Sequence, residues 1–261
     1  MVAMLPRSLL VALGCVLFIL CCATPALAYD RAKFCKDGGD YVVILVDVTT
    51  AFDDRARDLF GRGIAAIVTS LRPGDHIRIS TIEDSYATSA QLYDGCVPYC
   101  DPSIWNYLTS DCTDGLIRLE TRRQQSDIKS ALLARLGKAT ADLDLSDIIR
   151  TIYDDTAQRP PDAHFDLFVF SDLIENSDFM PGKMFWSQAT AKSIAMIKAN
   201  SLLPDFAGST VKVFGVARGG SMGRHPLAQD RTNKLRDFWT AYFAAAGVPD
   251  AEISEALFLE N

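Results

Sequence analysis

Runs of apolar residues, separated by short turns, divide most of this chain into alternating strand and helix segments. The clearest run is Tyr41 to Val46, in which six apolar or aromatic residues, mostly β-branched, stand in a row. Such a run predicts a strand that is buried on both faces, as in parallel sheets. Residues 165–170 and 210–216 repeat this pattern, whereas 76–82 alternates between apolar and polar positions.

Between these strands, apolar residues recur near the spacing of an α-helix. The segments with this spacing are 53–71, 121–136, 146–154, 183–200 and 232–246. Residues 87–93 are expected to return antiparallel beside the second strand, and 253–259 to form a final short strand or a docking tail. The alternation predicts the α/β class: a doubly wound, mostly parallel central sheet with helices on both faces, similar to the Rossmann fold.

The N-terminal segment has the composition of a secretory signal peptide. One basic residue, Arg7, precedes an uncharged apolar stretch, and Ala26-Leu27-Ala28 forms a small-residue cleavage site. Residues 1–28 are therefore predicted to be a signal peptide and 29–261 a single domain of an exported protein, either periplasmic or secreted. The alternative is an uncleaved anchor, because a run of roughly 20 uncharged residues can span a bilayer.

The cysteines fit this location. Three of the seven lie in the predicted signal peptide, and those that remain are Cys35, Cys96, Cys100 and Cys112. An even number in an exported chain favours disulfides, although three pairings are open. An insertion at about 94–115 contains three of them, and a bridge from Cys35 to this insertion is the preferred pairing. A zinc site is disfavoured because the usual C-x2-C spacing is missing.

The charge balance limits the partners. A net charge of −7 disfavours binding to nucleic acid, whose phosphates an acidic protein repels. Three scattered histidines with no H-x-x-H pattern are also not expected to bind a metal ion. Contact with a membrane is expected only if the N-terminal segment is retained.

Two of the predicted strands end in an aspartate. Asp47 follows the first strand and Asp172 the fourth, and parallel strands bring their carboxyl ends to one crevice. The hydroxyls of Thr49, Thr50 and Ser146 stand on loops that could reach it. Carboxylate and hydroxyl oxygens favour Mg²⁺, Mn²⁺ or Ca²⁺ over zinc. The predicted metal ligands are Asp47, Thr49, Ser146 and Asp172.

These segments resemble the von Willebrand factor A family. Asp47-x-Thr49-x-Ala51 is similar to its metal-ion-dependent adhesion site motif, Asp-x-Ser-x-Ser, and the segment from Ser146 is similar to the second loop of that site. The segment that ends in Asp172 is similar to the strand that supplies its third metal-site acid. The resemblance covers most of residues 40–247 and implies adhesion or assembly through a protein partner, whose acidic group completes the cation site.

The chain departs from that motif at Ala51, which stands where the second serine hydroxyl would coordinate. The predicted cation site is therefore degenerate. In the alternative interpretation, Asp47 and Thr49 only cap the following helix and Asp172 bonds to loop amides.

Three functions remain open from the sequence. The first is an exported protein-binding module that depends on a cation. The second is a metal-dependent hydrolase similar to a phosphatase, which is disfavoured because Thr49 stands where a second acid is needed. The third is a structural exported domain with a vestigial metal site. The loop 173–186 is either a partner contact or the start of the next helix's core face.

Overall fold

A six-stranded sheet forms the centre of the structure. The structure is a computed structural model, and it describes residues 34–51, 53–100, 113–139, 143–160, 163–217 and 227–256. The strands are β1 (Tyr41–Asp47), β2 (His76–Ile82), β3 (Gln91–Cys96), β4 (Phe165–Phe170), β5 (Thr210–Phe214) and β6 (Glu252–Ser254). Their order in the sheet is β3-β2-β1-β4-β5-β6. Only β3 runs antiparallel, beside β2, and the other neighbours are parallel. This is the doubly wound order.

Helices cover both faces of this sheet. They are α1 (Asp54–Ser70), α2 (Asp114–Leu136), α3 (Ile148–Ala157), α4 (Gly182–Ser187), α5 (Thr190–Ala199) and α6 (Gln229–Ala245). One core lies between the sheet and α1 and α2, and the other between the sheet and α3 to α6. The predicted fold class is therefore confirmed.

The central strand β1 separates the two cores. Val42, Ile44 and Val46 face α1 and α2, while Val43 and Leu45 face the opposite core. Every residue of β1 is buried, which explains why its sequence is a continuous apolar run without alternation. The strand ends at Asp47, so this carboxylate is placed at the boundary between the two cores and the carboxyl edge.

Several element boundaries differ from the predictions for physical reasons. Helix α2 begins at Asp114, well before residue 121, because the side chain of Thr113 accepts a hydrogen bond from Leu116 N at 3.2 Å and caps it. The helix predicted over 183–200 is two helices, which are separated by extended backbone at Gln188 and Ala189. The short strand expected near residue 253 is β6, at the edge of the sheet.

The insertion predicted at about 94–115 is shorter in the structure, because regular elements include residues at both of its ends. Residues 94–96 complete β3, and α2 already includes residues 114 and 115.

A disulfide joins Cys35 to Cys96, with 5.0 Å between the Cα atoms. Cys96 is one of the three cysteines of the predicted insertion, so this confirms the preferred pairing of Cys35 with the insertion. Cys100 is disulfide-bonded as well. With Cys35 and Cys96 joined to each other, the four-cysteine zinc set is not formed.

Two sequence predictions concern residues outside the described ranges: the signal peptide at 1–28 and the role of Cys112. They stay predictions. Within the described ranges, none of the helices combines the length and the apolar character that crossing a membrane requires.

The disulfide closes a long loop, because its two cysteines are 61 residues apart in sequence. We expect the double variant Cys35→Ala/Cys96→Ala to lose about 3 to 4 kcal/mol of unfolding free energy in urea denaturation, since the bridge restricts the unfolded chain. Cys35→Ala alone should lose nearly as much, because either substitution breaks the bridge. Equal urea midpoints for the oxidised parent and the double variant would contradict this expectation.

Candidate site at the carboxyl edge of the sheet

The pairing of β1 with β4 brings two polar residues together at the carboxyl edge. Val46 lies opposite Phe170 in the parallel register, so Asp47 and Ser171 leave the sheet side by side. The Ser171 hydroxyl donates a hydrogen bond to Asp47 Oδ2 at 2.5 Å. Ser171 was not among the predicted site residues, although its position directly before Asp172 at the end of a buried strand was a usable signal.

The second carboxylate oxygen of Asp47 is bound by the following turn. Asp47 Oδ1 accepts from Thr49 N at 2.9 Å and from Thr49 Oγ1 at 2.6 Å. Asp47 is only 2% exposed. Burial raises its pKa above the ordinary value of a carboxyl group, and the hydrogen bonds from Ser171 and Thr49 oppose this effect. Among the described residues, no lysine, arginine or histidine pairs with it.

Asp172 lies at the same edge and is half-buried. Its Oδ2 accepts from Thr50 Oγ1 at 3.3 Å, and its Oδ1 accepts from Ile174 N at 2.9 Å. Thr50 therefore connects the loop after β1 with the loop after β4. Asp47, Thr49 and Asp172 lie at the same edge, with the hydroxyls of Ser171 and Thr50 bonded to Asp47 and Asp172, respectively.

The turn after β4 holds Asp172 in a fixed place. Leu173 has a φ of 61°, in the left-handed region that non-glycine residues seldom adopt. Surrounding bonds maintain this conformation: Trp239 Nε1 donates to Leu173 O at 2.8 Å, and Ala217 N donates to Asp172 O at 3.0 Å. Helix α6 and the loop after β5 thus hold the backbone of the turn that carries Asp172.

Ser146 reaches the edge through its backbone. Leu143 N donates to Thr49 O at 2.7 Å, and the N–H and C=O groups of Ser146 pair with Asn176 at 2.9 and 3.0 Å. The Ser146 hydroxyl is buried and has no hydrogen-bond partner in the described part of the chain. The predicted loop is therefore at the correct edge, but no hydrogen bond joins the Ser146 side chain to Asp47 or Asp172.

The helix-capping alternative for Asp47 and Thr49 is wrong. Asp53 caps α1, because its Oδ1 accepts from Ala56 N at 2.7 Å. The other half of that alternative holds, since Asp172 does bond to the loop amide of Ile174.

Glu83 is a second buried acid near Asp47, just after β2. It accepts a hydrogen bond from Thr81 Oγ1 at 2.7 Å and forms an ion pair with Arg135 of α2. Its charge also raises the pKa of Asp47. Glu83 is thus neutralised by an arginine, while Asp47 is not.

Glu175 is another buried acid at this edge, in the loop 173–186 for which a partner contact was one of two expectations, and its side chain is enclosed instead. Its Oε2 accepts from the N–H groups of Ile148 and Ile149, both at 3.0 Å, so it caps α3 from a distant loop. Its Oε1 is bonded to Ser177 Oγ at 2.5 Å. Burial raises the pKa of Glu175 to about 8, against the lowering effect of these hydrogen bonds.

The donor set at this edge consists of oxygens. Among the residues that the structure describes, no group of three or more histidine, cysteine, aspartate or glutamate side chains could hold a metal ion. Hydroxyls of Thr49, Thr50 and Ser171 accompany the two aspartates instead. Each of these hydroxyls donates its proton to a carboxylate, which leaves oxygen lone pairs on Thr49 and Thr50 for a hard cation. Ser171 Oγ also accepts from Leu173 N at 2.9 Å, so one lone pair remains on that oxygen. At the motif's last position, Ala51 is buried and its side chain has no oxygen that could bind a cation.

Comparisons with known proteins gave structural matches alone. No protein-family model and no curated protein matches the chain. Among matching solved structures, proximal thread matrix protein 1 from the mussel byssus is 11% identical, with a TM-score of 0.41 over 84% of this chain and 42% of that one. A von Willebrand factor type A protein from Catenulispora acidiphila is 13% identical, with a TM-score of 0.39 over 80% and 43%.

The chain thus spans less than half the length of either of these proteins. At these identities and TM-scores the two likenesses carry no conclusion about function.

The buried Glu175 predicts a pH-dependent stability. In the unfolded chain its carboxyl loses its proton near the ordinary value of 4.5, whereas the folded protein retains that proton up to about 8. Folding therefore binds a proton between these values, and this group's contribution to stability falls as the pH rises from about 4.5 to about 8, by at most about 1.4 kcal/mol per pH unit.

We expect Glu175→Gln to flatten this slope, because the amide reproduces the neutral carboxyl and can still accept from Ile148 and Ile149. Urea denaturation of parent and variant at a series of pH values would measure it. Asp178→Asn, an exposed acid in the same loop, should leave the slope unchanged. An identical slope in the parent and in Glu175→Gln would contradict the expectation.

Proposed function

We propose that this chain is an exported protein-binding module that acts in adhesion or assembly through the carboxyl edge of its sheet. A divalent cation, Mg²⁺ or alternatively Mn²⁺ or Ca²⁺, assists binding at Asp47, Thr49, Ser146 and Asp172, with Ser171 and Thr50 as further hydroxyls. The observation that carries this proposal is the buried carboxylate of Asp47, which has hydroxyl partners but no basic partner among the described residues.

A buried carboxylate needs compensation for the water that it loses. Glu83 obtains it from Arg135, whereas the hydrogen-bond partners of Asp47 among the described residues are the hydroxyls of Thr49 and Ser171 and one backbone N–H. Neutral hydrogen bonds compensate a buried charge only in part. A bound cation would supply the missing positive charge, and its affinity would favour the ionised form of Asp47.

The hydroxyl groups fit this role. Their hydrogen bonds to carboxylates orient the oxygens and make them better ligands, as outer-shell partners do in metal sites. The orphan hydroxyl of Ser146 also fits, because a buried polar atom without a partner favours a further ligand at this edge. Ala51 leaves the set one oxygen short, which water can replace. We therefore expect affinity below that of a complete site.

The loops around the site have the composition of a protein interface. Three large side chains on them are unusually exposed: Tyr86 at 43%, Leu143 at 42% and Leu145 at 38%. Exposed apolar groups beside a polar site are typical of interaction surfaces. The cation and this apolar surface would then act on the same partner, whose acidic group completes the cation site.

Export is the location that suits this function. Disulfides persist in oxidising compartments, and Cys35 and Cys96 form one here. The same cysteine usage and the signal-like composition of residues 1–28 support a periplasmic or secreted location.

The cation part can be tested by isothermal calorimetry with Mg²⁺, Mn²⁺ and Ca²⁺. We expect saturable binding of at least one of these ions, and a loss of at least about tenfold in affinity in Asp47→Asn and in Asp172→Asn. Ala51→Ser should bind more tightly than the parent, because it restores the missing hydroxyl.

Asp58→Asn is the matched control, since it removes an exposed aspartate of α1 that pairs only with Arg62. Its affinity should equal that of the parent. If none of the three ions bound, or if Asp47→Asn bound as tightly as the parent, the cation part of the proposal would be wrong.

A further inference from the structure

Arg150 lies between two aromatic rings at the carboxyl edge. The central carbon of its guanidinium is 5.6 Å from the ring centre of Tyr86 and 5.4 Å from that of Phe179. The three side chains come from three different segments: the turn after β2, the first turn of α3 and the loop after β4. Three separate segments thus position one cation.

Hydrogen bonds fix the segments that carry these rings. Asp147 Oδ2 accepts from Tyr86 N at 3.1 Å, and Asp147 N donates to Glu83 O at 3.0 Å, so the Tyr86 turn is tied to the start of α3. Ser177 Oγ accepts from Met180 N at 3.1 Å, which closes the turn that contains Phe179. These bonds hold the backbone of both ring-bearing turns, and the guanidinium lies between the two rings.

The guanidinium of Arg150 forms no ion pair and no side-chain hydrogen bond with any residue in the described ranges. Stacking uses the faces of the guanidinium plane and leaves its edge, with five N–H donors, available. An acid close in sequence is the N-cap residue Asp147, whose pKa the charge of Arg150 lowers against a larger increase from burial. Asp147 is buried and directs one oxygen to Tyr86 N, while Arg150 is only partly buried.

We propose that Arg150 is a recognition residue for a carboxylate group of a protein partner, and that Tyr86 and Phe179 position its guanidinium for a bidentate pair. The inference rests on the proposed function in that it uses the same edge of the sheet, but it needs no cation. Arginine and tyrosine at the centre of a contact surface are the residues that most often dominate binding energy. A planar carboxylate matches the two parallel N–H groups of the guanidinium edge.

The partner chemistry follows from charge and shape. A phosphate group is disfavoured because the surrounding loops carry acids, among them Asp144, Asp147 and Asp178, which repel a doubly charged group more strongly than a single carboxylate. The exposed leucines Leu143 and Leu145 on the neighbouring loop favour a partner segment in which an acidic residue stands beside apolar ones.

The test is an NMR titration of the arginine Nε–Hε signals of the full domain in buffer with EDTA, which removes divalent cations. The Arg150 signal is assigned from its loss in Arg150→Gln. The probe is the blocked peptide acetyl-Gly-Asp-Gly-amide, and the control peptide has Asn in place of Asp. We expect a saturable shift with the Asp peptide at a dissociation constant of about 1 to 10 mM, and none with the Asn peptide.

Two variants examine the role of the rings. Tyr86→Ala and Phe179→Ala should each raise the dissociation constant by about threefold or more, since the guanidinium loses one of its two stacking partners. The signal of Arg118, an exposed arginine on α2, is the internal control and should not show a saturable shift.

The inference is overturned if the Arg150 signal does not shift, if it shifts equally with both peptides, or if Arg118 follows the same curve. It is also overturned if the shift appears only in Asp147→Asn, because Arg150 would then be the internal partner of Asp147. Since EDTA is present throughout, a failure of the cation site leaves this result unaffected. Likewise, a failure here leaves calorimetric cation binding unaffected.

Discussion

The burial of Asp47 is the constraint on which the carboxyl edge depends. The carboxylate stands at the end of the central strand, whose every residue is covered by one of two cores, so it cannot leave this position without unpairing β1. The chain accommodates this carboxylate with hydroxyls from two loops, those of Thr49 and Ser171. No basic residue of the described ranges pairs with it. Burial raises the pKa of this acid against the effect of its hydrogen bonds, and a bound cation would favour its ionised form.

The rest of the edge is built from the same kind of contact, in which one loop holds the next. Glu175, on the loop after β4, caps the helix α3, and the backbone of Ser146 pairs with Asn176 of that loop. Trp239 of α6 supports the unusual backbone of Leu173. These links cross between segments that are distant in sequence, and this explains why the loops form a defined surface although each is short and irregular.

The parts of this arrangement that follow from local sequence were predictable. The apolar run of β1 specified a strand buried on both faces, and the aspartates after two such strands specified neighbouring positions at one edge of the sheet, where hydrogen bonds join Asp47 to Thr49 and Ser171, and Thr50 to Asp172. The pairing of Cys35 with the insertion followed from the antiparallel direction of β3.

The parts that depend on tertiary contacts were not predictable. Nothing in the local sequence distinguishes the buried Glu175 from the exposed Asp178 three residues later, because only the packing of α3 and α6 around that loop decides which acid is enclosed. The stacking of Arg150 between Tyr86 and Phe179 also joins three segments that are remote in sequence. The break at Gln188 escaped the helical pattern because apolar residues continue at helical spacing across it.

The most direct test of the central claim is a crystal structure of the domain soaked in Mn²⁺, with anomalous difference density calculated at the manganese edge. If the buried Asp47 is the anchor of a cation site, an anomalous peak should lie between the turn at Asp47 to Thr50 and Asp172, with ligand oxygens at about 2.1 Å, as hard octahedral cations require. The absence of a peak there, with the Asp47 carboxylate still bonded only to the hydroxyls of Thr49 and Ser171 and to the Thr49 amide, would contradict the account.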